Sequence, residues 1–168
     1  MRLLNQLLDF QKQETGNVIL KVGGRNMVFF LKDIVDSFRE YAHSRKVSLN
    51  FNFSSPEIYL WFDREELSKV FFNLLANALK FTPGGGEITV SLDQEDACHI
   101  GEIVSGKGDF VRVVVEDNGL GIAPGQLDKI FHRFYQAENA GILDAGFGIG
   151  LALSKGIIDL HLGNISVE

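Results

Sequence analysis

The chain has 168 residues, 45% hydrophobic and 23% charged, an ordinary soluble composition in a length that allows one domain with a real core. A formal net charge of −6 without any basic cluster argues against nucleic acid as a partner, so an anionic ligand must be held by local groups. The single cysteine, Cys98, excludes an internal disulfide framework; no apolar run is long enough to span a bilayer, and the N-terminus carries no signal-peptide pattern.

Met1–Thr15 reads as a helix, with Leu3, Leu4, Leu7, Leu8 and Phe10 at helical spacing and Gly16-Asn17 ending it. Val18–Val22 alternates as a short strand, and Gly23-Gly24 turns the chain. Met27–Arg45 is a second helix with Phe30, Leu31, Ile34, Val35, Phe38, Tyr41 and Ala42 inward. Val47–Phe53 is a strictly alternating strand with Val47, Leu49, Phe51 and Phe53 inward, and Ile58–Phe62 is another short strand. Asp63 is a good N-cap for the next helix, with Glu66 three residues on as a capping box. That helix runs to Phe81 and stops before Thr82-Pro83-Gly84-Gly85-Gly86.

Glu87–Asp93 is a strand, 94–109 a loop, and Phe110–Glu116 a β-branched strand expected at the sheet centre and antiparallel to its predecessor. Asn118–Ile122 is a glycine turn. Pro124–Tyr135 reads as a short helix with Leu127, Ile130, Phe131 and Phe134 on one side. Gln136–Ala145 lacks apolar periodicity and is expected to be poorly ordered without a ligand. A second glycine turn, Gly146–Gly150, opens a helix over Ile149–Leu162, and Asn164–Val167 begins a strand. Helices mixed with hairpin-connected strands, without regular alternation, predict an α+β two-layer sandwich with helices on one face of a mixed sheet.

The helix ending at Phe81 is apolar nearly all round, the mark of a buried helix, yet Asn73, Asn77 and Lys80 share one stripe that Glu66 and Lys69 extend. Such a stripe either faces water or serves a ligand that needs amide oxygens beside an ammonium, as a hydrated hard cation with an anion does. Asp117, at a strand end and backed by Gly119 and Gly121, can accept from a ligand amine, although Asp-Asn-Gly is also a common tight turn. Gly146, Gly148 and Gly150 at a helix start leave backbone N–H groups available to phosphate, or simply loosen the entry into a packed helix. Arg133, between the two glycine turns, can reach a phosphate while its aromatic neighbours fill the core. His43, His99, His132 and His161 are scattered and read as structural or exposed; no zinc spacing, phosphate-loop signature or nucleophile elbow occurs.

Four blocks in this order resemble the ATP-binding catalytic domain of sensor histidine kinases, within the wider family of gyrase, heat-shock-chaperone, MutL and histidine-kinase ATPases, whose fold is the Bergerat type. Asn73–Thr82 is similar to the N box, Asp117–Ile122 to the first glycine box, Phe131–Tyr135 to the F box, and Gly146–Leu151 to the second glycine box. Leu3–Gly16 resembles the end of the second dimerisation helix of hybrid two-component sensors. The expected organisation is therefore 1–16 as the end of a dimerisation helix and 17–168 as the catalytic domain, with its last strand truncated.

The resemblance implies roles. Asn77 would bind Mg²⁺ bridging the ATP phosphates, with Asn73 assisting, and Lys80 would contact phosphate. Asp117 would accept from the adenine amine in a pocket shaped by Gly119 and Gly121 and lined by Ile122, Phe134 and Leu151. Arg133 would lie near the γ-phosphate or the receiving His, and Gly146, Gly148 and Gly150 would close the phosphate side. Related hydrolases carry a Glu base where this chain has Asn73, which favours phosphoryl transfer over hydrolysis. Phe147 stands where the family has a small residue, often Thr, and Leu162 where it has Gly. No phosphoacceptor motif Ser-His-Glu occurs, so the receiving His is expected on a dimerisation domain outside this sequence. Further partners implied are a response-regulator receiver domain but neither nucleic acid nor a membrane surface; the implied location is cytoplasmic, with a parent protein anchored in the inner membrane. Two rivals stay open here: a related ATPase or anti-sigma-type serine kinase, which would not explain the Leu3–Gly16 helix, and a degenerate non-catalytic scaffold, to which Phe147 points.

Overall fold

The computed structural model describes residues 18–95, 110–136 and 148–168. The expected N-terminal helix, most of the loop over 94–109, nearly all of 136–145, and both Gly146 and Phe147 lie outside the described residues. The elements are β1 (Gly23–Asn26), α1 (Met27–Ser44), β2 (Ser48–Phe53), β3 (Tyr59–Phe62), α2 (Arg64–Phe81), β4 (Glu87–Glu95), β5 (Phe110–Asp117), a 3₁₀ turn (Pro124–Lys129) and α3 (Gly150–Leu160). This mixture is α+β, as expected.

Contacts divide the chain into two compact units. Among the described residues, one holds those within Gly24–Trp61 and Leu75–Leu120; the other holds those within 18–23, Phe62–Leu74 and Gly121–Glu168. Helix α2 contributes its first turns to the second unit and its last turns to the first.

In the first unit, Asn26 starts α1 as an N-cap. Its Oδ1 accepts from the N–H of Val28 at 2.8 Å and of Phe29 at 3.4 Å, while its Nδ2 donates to the Pro56 carbonyl at 3.0 Å. The helix ends at Arg45, and Lys46 adopts a left-handed φ of 58° that lets Val47 N–H return to the Ala42 carbonyl at 2.9 Å. The chain thus enters β2 directly. β2 pairs in parallel with β4, and β4 antiparallel with β5, giving the order β2-β4-β5. The apolar face of α1 (Leu31, Ile34, Val35), the last turns of α2 (Leu75, Leu79) and the inner positions of β4 (Ile88, Val90, Leu92) are all buried. Each such side chain is worth about 1.5–3 kcal/mol on removal from water.

Several expectations are corrected. The first strand is Gly23–Asn26, not Val18–Val22, because it is Gly23–Asn26 that finds a partner, β3; a strand needs a neighbour more than it needs alternation. Among the described residues the central strand is β4 rather than the valine-rich β5, whose valines are only half-buried. Phe53 is exposed, since the last residue of β2 runs past the core that covers Val47 and Leu49, and Tyr41, expected inward in the last turn of α1, is exposed while Ala42 beside it is buried. Residues 164–168 form no strand among the described residues.

The second unit contains α3, the first turns of α2 and the 3₁₀ turn. The helix expected over Pro124–Tyr135 is instead that turn followed by i→i+3 bonds, His132 N–H to the Lys129 carbonyl at 2.8 Å and Tyr135 N–H to the His132 carbonyl at 3.4 Å. Ala123 supplies no side-chain cap and Gly125 lowers helix propensity, so the tighter, shorter form prevails. Phe134 takes a left-handed φ of 59° and is 65% exposed, so it is not the core residue its spacing predicted. No helix among the described residues is long and apolar enough to cross a membrane.

Candidate functional site

The anchor of the site is the N-terminus of α2. Asp63 is buried, and its Oδ1 accepts from Glu65 N–H at 3.0 Å and Glu66 N–H at 3.2 Å, satisfying two of the orphan donors of the first turn. Its Oδ2 accepts from Lys21 N–H at 2.6 Å. Burial pushes the Asp63 carboxyl up, but the backbone N–H groups of Lys21, Glu66 and Glu65 outweigh it, so its pKa lies below the ordinary 3.8. The capping box is only half realised. The Glu66 carboxylate pairs with Lys69 at 2.9 Å rather than reaching back to the cap, and the Asp63 N–H donates to His161 Nε2 at 3.1 Å. Nε2 is therefore the acceptor nitrogen of His161, so Nδ1 carries the hydrogen that goes to the Ile157 carbonyl at 2.8 Å.

Further along the stripe, Asn73 Nδ2 donates to Ser154 Oγ on α3 at 3.1 Å. Its amide lies over Gly150, where an added Cβ would collide with Asn73 Oδ1. Gly148 adopts φ 66°, and a Cβ there would sit 2.6 Å from the Tyr135 carbonyl oxygen; its own carbonyl accepts from Phe134 N–H at 2.9 Å. The second glycine box is thus stitched to the end of the F box by backbone contact. Ile149, which precedes α3, offers no side-chain cap, and no acidic residue lies in the first turn. That leaves the N–H groups of the helix start with partial positive charge and no cap from the Ile149 side chain. Leu151 is half-buried on this helix, while Gly121, Ile122, Arg133 and Phe134 are exposed. The structure brings Asn73, Gly148, Gly150 and Phe134 into one connected set.

In the other unit, Asn77 and Lys80 occupy the last turns of α2, both half-buried, with the Lys80 ammonium 4.9 Å from the Phe81 ring centre. Asp117, at the end of β5, is exposed, and its Oδ1 accepts from Gly119 N–H at 2.9 Å. Asn118 binds back to the start of β4: its Oδ1 accepts from Glu87 N–H at 2.8 Å. The turn is also tied to the end of α2, because Leu120 N–H donates to the Phe81 carbonyl at 3.2 Å. A Cβ at Gly119 would lie 2.5 Å from that carbonyl oxygen and 2.7 Å from Asp117 Oδ1. Only glycine permits this approach, so the first glycine box presents a carboxylate and bare backbone side by side.

Three residues carry weight that composition and spacing did not reveal. Ser154 receives Asn73 across a separation of 81 residues, and only its position four after Gly150, on the same helical face, could have hinted at it. His161 reads as a scattered histidine yet fixes the Asp63 cap. Thr82 is fully buried, and its Oγ1 has no hydrogen-bond partner among the described residues. Leu162, flagged as replacing glycine, takes φ 59° in a Schellman turn: Leu162 N–H binds the Asp159 carbonyl and Gly163 N–H the Ile158 carbonyl, both at 3.0 Å. The turn forms despite the leucine.

Residues 62–168 match the family described as histidine kinase-, DNA gyrase B-, and HSP90-like ATPase. The chain belongs to that family. Among relatives, 98% of the chain is 34% identical to "Histidine kinase P4" of Formosa agariphila and 98% is 30% identical to the sensor histidine kinase WalK of Bacillus subtilis. It spans only 12% and 25% of those two proteins' lengths. The fold is similar to that of the mycobacterial sensor histidine kinase MprB, with a TM-score of 0.72 at 23% identity over 87% of this chain and 86% of that one. It is also similar to full-length ShkA solved in complex with AMPPNP, with a TM-score of 0.76 at 24% identity over 94% of this chain and 30% of that one. What these comparisons match is the catalytic ATP-binding domain of sensor histidine kinases.

Proposed function

We propose that this chain is the ATP-binding kinase domain of a two-component sensor histidine kinase, and that it donates the γ-phosphoryl of Mg-ATP to a His on a dimerisation domain outside this sequence. The observation that carries the reading is the Asp117–Gly119 turn, an exposed carboxylate beside backbone that admits no Cβ. That arrangement suits the amine edge of a purine, with the carboxylate accepting and the glycine giving room for the ring. Family membership makes the purine adenine.

Lys80 is assigned to phosphate, Gly148 and Gly150 at the start of α3 to phosphate oxygens through backbone N–H groups, and Gly146 to the same phosphate side. Gly121, Ile122, Phe134 and Leu151 line the base and ribose side, and Arg133 serves the γ-phosphate or the receiving His. Among the described residues no cluster of His, Cys, Asp or Glu is built to hold a metal ion. Amide oxygens fit Mg²⁺ better here, because Mg²⁺ keeps its waters and takes most other ligands from substrate phosphates. Asn77, with Asn73, would hold it, and the ion would neutralise charge on the transferring group. In the transfer the bond from the γ-phosphorus to the β,γ-bridging oxygen breaks and a phosphorus–nitrogen bond to the imidazole forms. ADP leaves and the imidazole proton passes to solvent. Positioning and charge neutralisation suffice for this, so Asn at 73 in place of a Glu base is coherent. A dimerisation domain and a receiver domain are the proposed partners, and the cytoplasm the proposed location. A response-regulator complex is known for the similar kinase ThkA, with a TM-score of 0.68 at 20% identity over 96% of this chain and 42% of that one.

Calorimetric titration with Mg-ATP tests the binding step. Saturable binding weakened by Asp117→Ala or Asn77→Ala supports the reading, and no heat at millimolar ATP sinks it. Transfer of label from γ-labelled ATP to a supplied His-bearing dimerisation segment tests the kinase step; steady hydrolysis indifferent to that segment would instead favour an ATPase.

A further inference from the structure

We infer that β5 is a docking edge for a second copy of this chain, which joins it antiparallel across a two-fold axis at Val114. The inference goes beyond the reading as a nucleotide-binding domain and does not depend on it.

Printed register and hydrogen bonds fix which way each β5 residue points its backbone. The Gly86 carbonyl, just before β4, accepts from Ser48 N–H at 2.9 Å, and the Leu92 carbonyl accepts from Ser54 N–H at 3.0 Å, so the even-numbered residues of β4 serve β2. Its odd-numbered residues therefore serve β5, and the bond from Asn118 N–H to the Glu87 carbonyl at 3.2 Å agrees. Opposite those odd-numbered residues stand Arg112, Val114 and Glu116. The N–H and C=O groups of Val111, Val113 and Val115 thus point away from β4, and among the described residues no strand pairs with that edge. Such an open row is a template for another strand. The side chains leave the edge unfinished as well. Val111, Val113 and Val115 share a face with Ile88, Val90 and Leu92 of β4, yet they are half-buried where those three are fully buried. On the opposite face Arg112 and Glu116 are exposed.

The charges of β5 select its occupant. An antiparallel copy must set outward-pointing residues opposite one another, which allows only registers that differ by an even step. Of these, the register centred on Val114 is the one that puts Arg112 opposite Glu116 of the second copy, and the two-fold axis repeats the pair. Val113 then faces Val115 of the second copy, and their backbone groups exchange N–H···O=C bonds in both directions. Arg112 also lies 3.5 Å from Glu95 within its own sheet, and a guanidinium has donors enough for both. The two three-stranded sheets become one continuous sheet, and the interface closes on itself, so association stops at the dimer.

Sedimentation equilibrium of the chain between about 10 µM and about 1 mM is expected to show a monomer–dimer equilibrium with Kd on the order of 100 µM, as suits a small, transient interface. Glu116→Arg sets like charges opposite each other and is expected to weaken the dimer about 10-fold. Adding Arg112→Glu to that variant restores opposite charges and is expected to recover most of the loss. Amide exchange by NMR is expected to slow at Val113 and Val115 as the dimer fills, while Val114, bonded to β4, is protected throughout. A thermal melt of each variant confirms folding. Where Arg112→Glu, which lies opposite Asp93, fails to fold, Val114→Lys replaces the charge swap. It brings two ammonium groups together at the axis, and a loss of about 10-fold is expected. A chain that stays monomeric to about 1 mM, a dimer indifferent to these charges, or a swap no tighter than Glu116→Arg overturns the inference. So do Val113 and Val115 amides protected in the monomer, as a strand from elsewhere in the same chain would protect them.

Discussion

The two ends of α2 are built on opposite terms. At the N-terminus every polar atom of Asp63 that the structure engages is engaged by the protein itself. Its carboxylate takes three backbone N–H groups, and its own N–H goes to a histidine 98 residues away. At the C-terminus, among the described residues, one polar group is buried without a partner and another is exposed. Among the described residues the Thr82 hydroxyl has no partner, the Lys80 ammonium lies beside the Phe81 ring, and the adjoining turn exposes Asp117. The N-terminal end is where the helix is held, and the C-terminal end is where it has chemistry to offer. The two go together, because a group left unsatisfied for a ligand costs stability that must come from elsewhere in the structure.

The largest break is expected at the open end. Gly119→Ala places a methyl against the Phe81 carbonyl and the Asp117 carboxylate, so it should cost about 3 kcal/mol in chemical unfolding and abolish ATP binding by calorimetry. At the held end, Asp63→Ala removes a cap and strands the Lys21 N–H, and about 2 kcal/mol is expected from urea titration, with nucleotide contacts left in place. The pH dependence follows from the lowered Asp63 pKa. Stability owed to the ionised carboxylate is fully present above the unfolded value of about 3.9 and lost as pH falls through the lower folded value. The stability gap between the parent chain and Asp63→Asn should therefore close as pH is lowered below about 4, and a gap that widens would refute the assignment.

Smaller effects sharpen the contrast. Thr82→Val exchanges a buried hydroxyl without a partner for a methyl of the same shape, so the melting temperature should rise by the equivalent of about 1 kcal/mol; a fall would mean that the hydroxyl is satisfied. Leu162→Gly relieves a left-handed leucine in the turn that follows His161, with a gain of about 0.5 kcal/mol expected after the entropy of the added glycine is subtracted.

Local signals were legible in proportion to how local their causes are. The helix from Asp63 to Phe81 could be read almost to the residue, because a cap, a helical apolar pattern and a Thr-Pro-Gly stop all lie within the element itself. The glycine boxes were legible for the same reason, since a left-handed or closely approached backbone admits little but glycine. Phe134 shows the failure of spacing alone. Its periodicity with Leu127, Ile130 and Phe131 promised one buried face, but with no cap and a glycine at its start the segment adopts tight turns, and Phe134 is exposed while Phe131 stays half-buried.

By itself, then, the sequence determined α1, α2 and α3, the order of the four motifs and the family to which the chain belongs. Tertiary structure alone decided which strand lies centrally, because pairing depends on what reaches a free edge rather than on a strand's own residues. It also decided that the Asp63 N–H goes to His161 instead of Glu66, and that Asn73 answers to Ser154. Those choices join residues 98 and 81 positions apart, and a hydrogen bond has a range of about 3 Å that no spacing along the chain encodes.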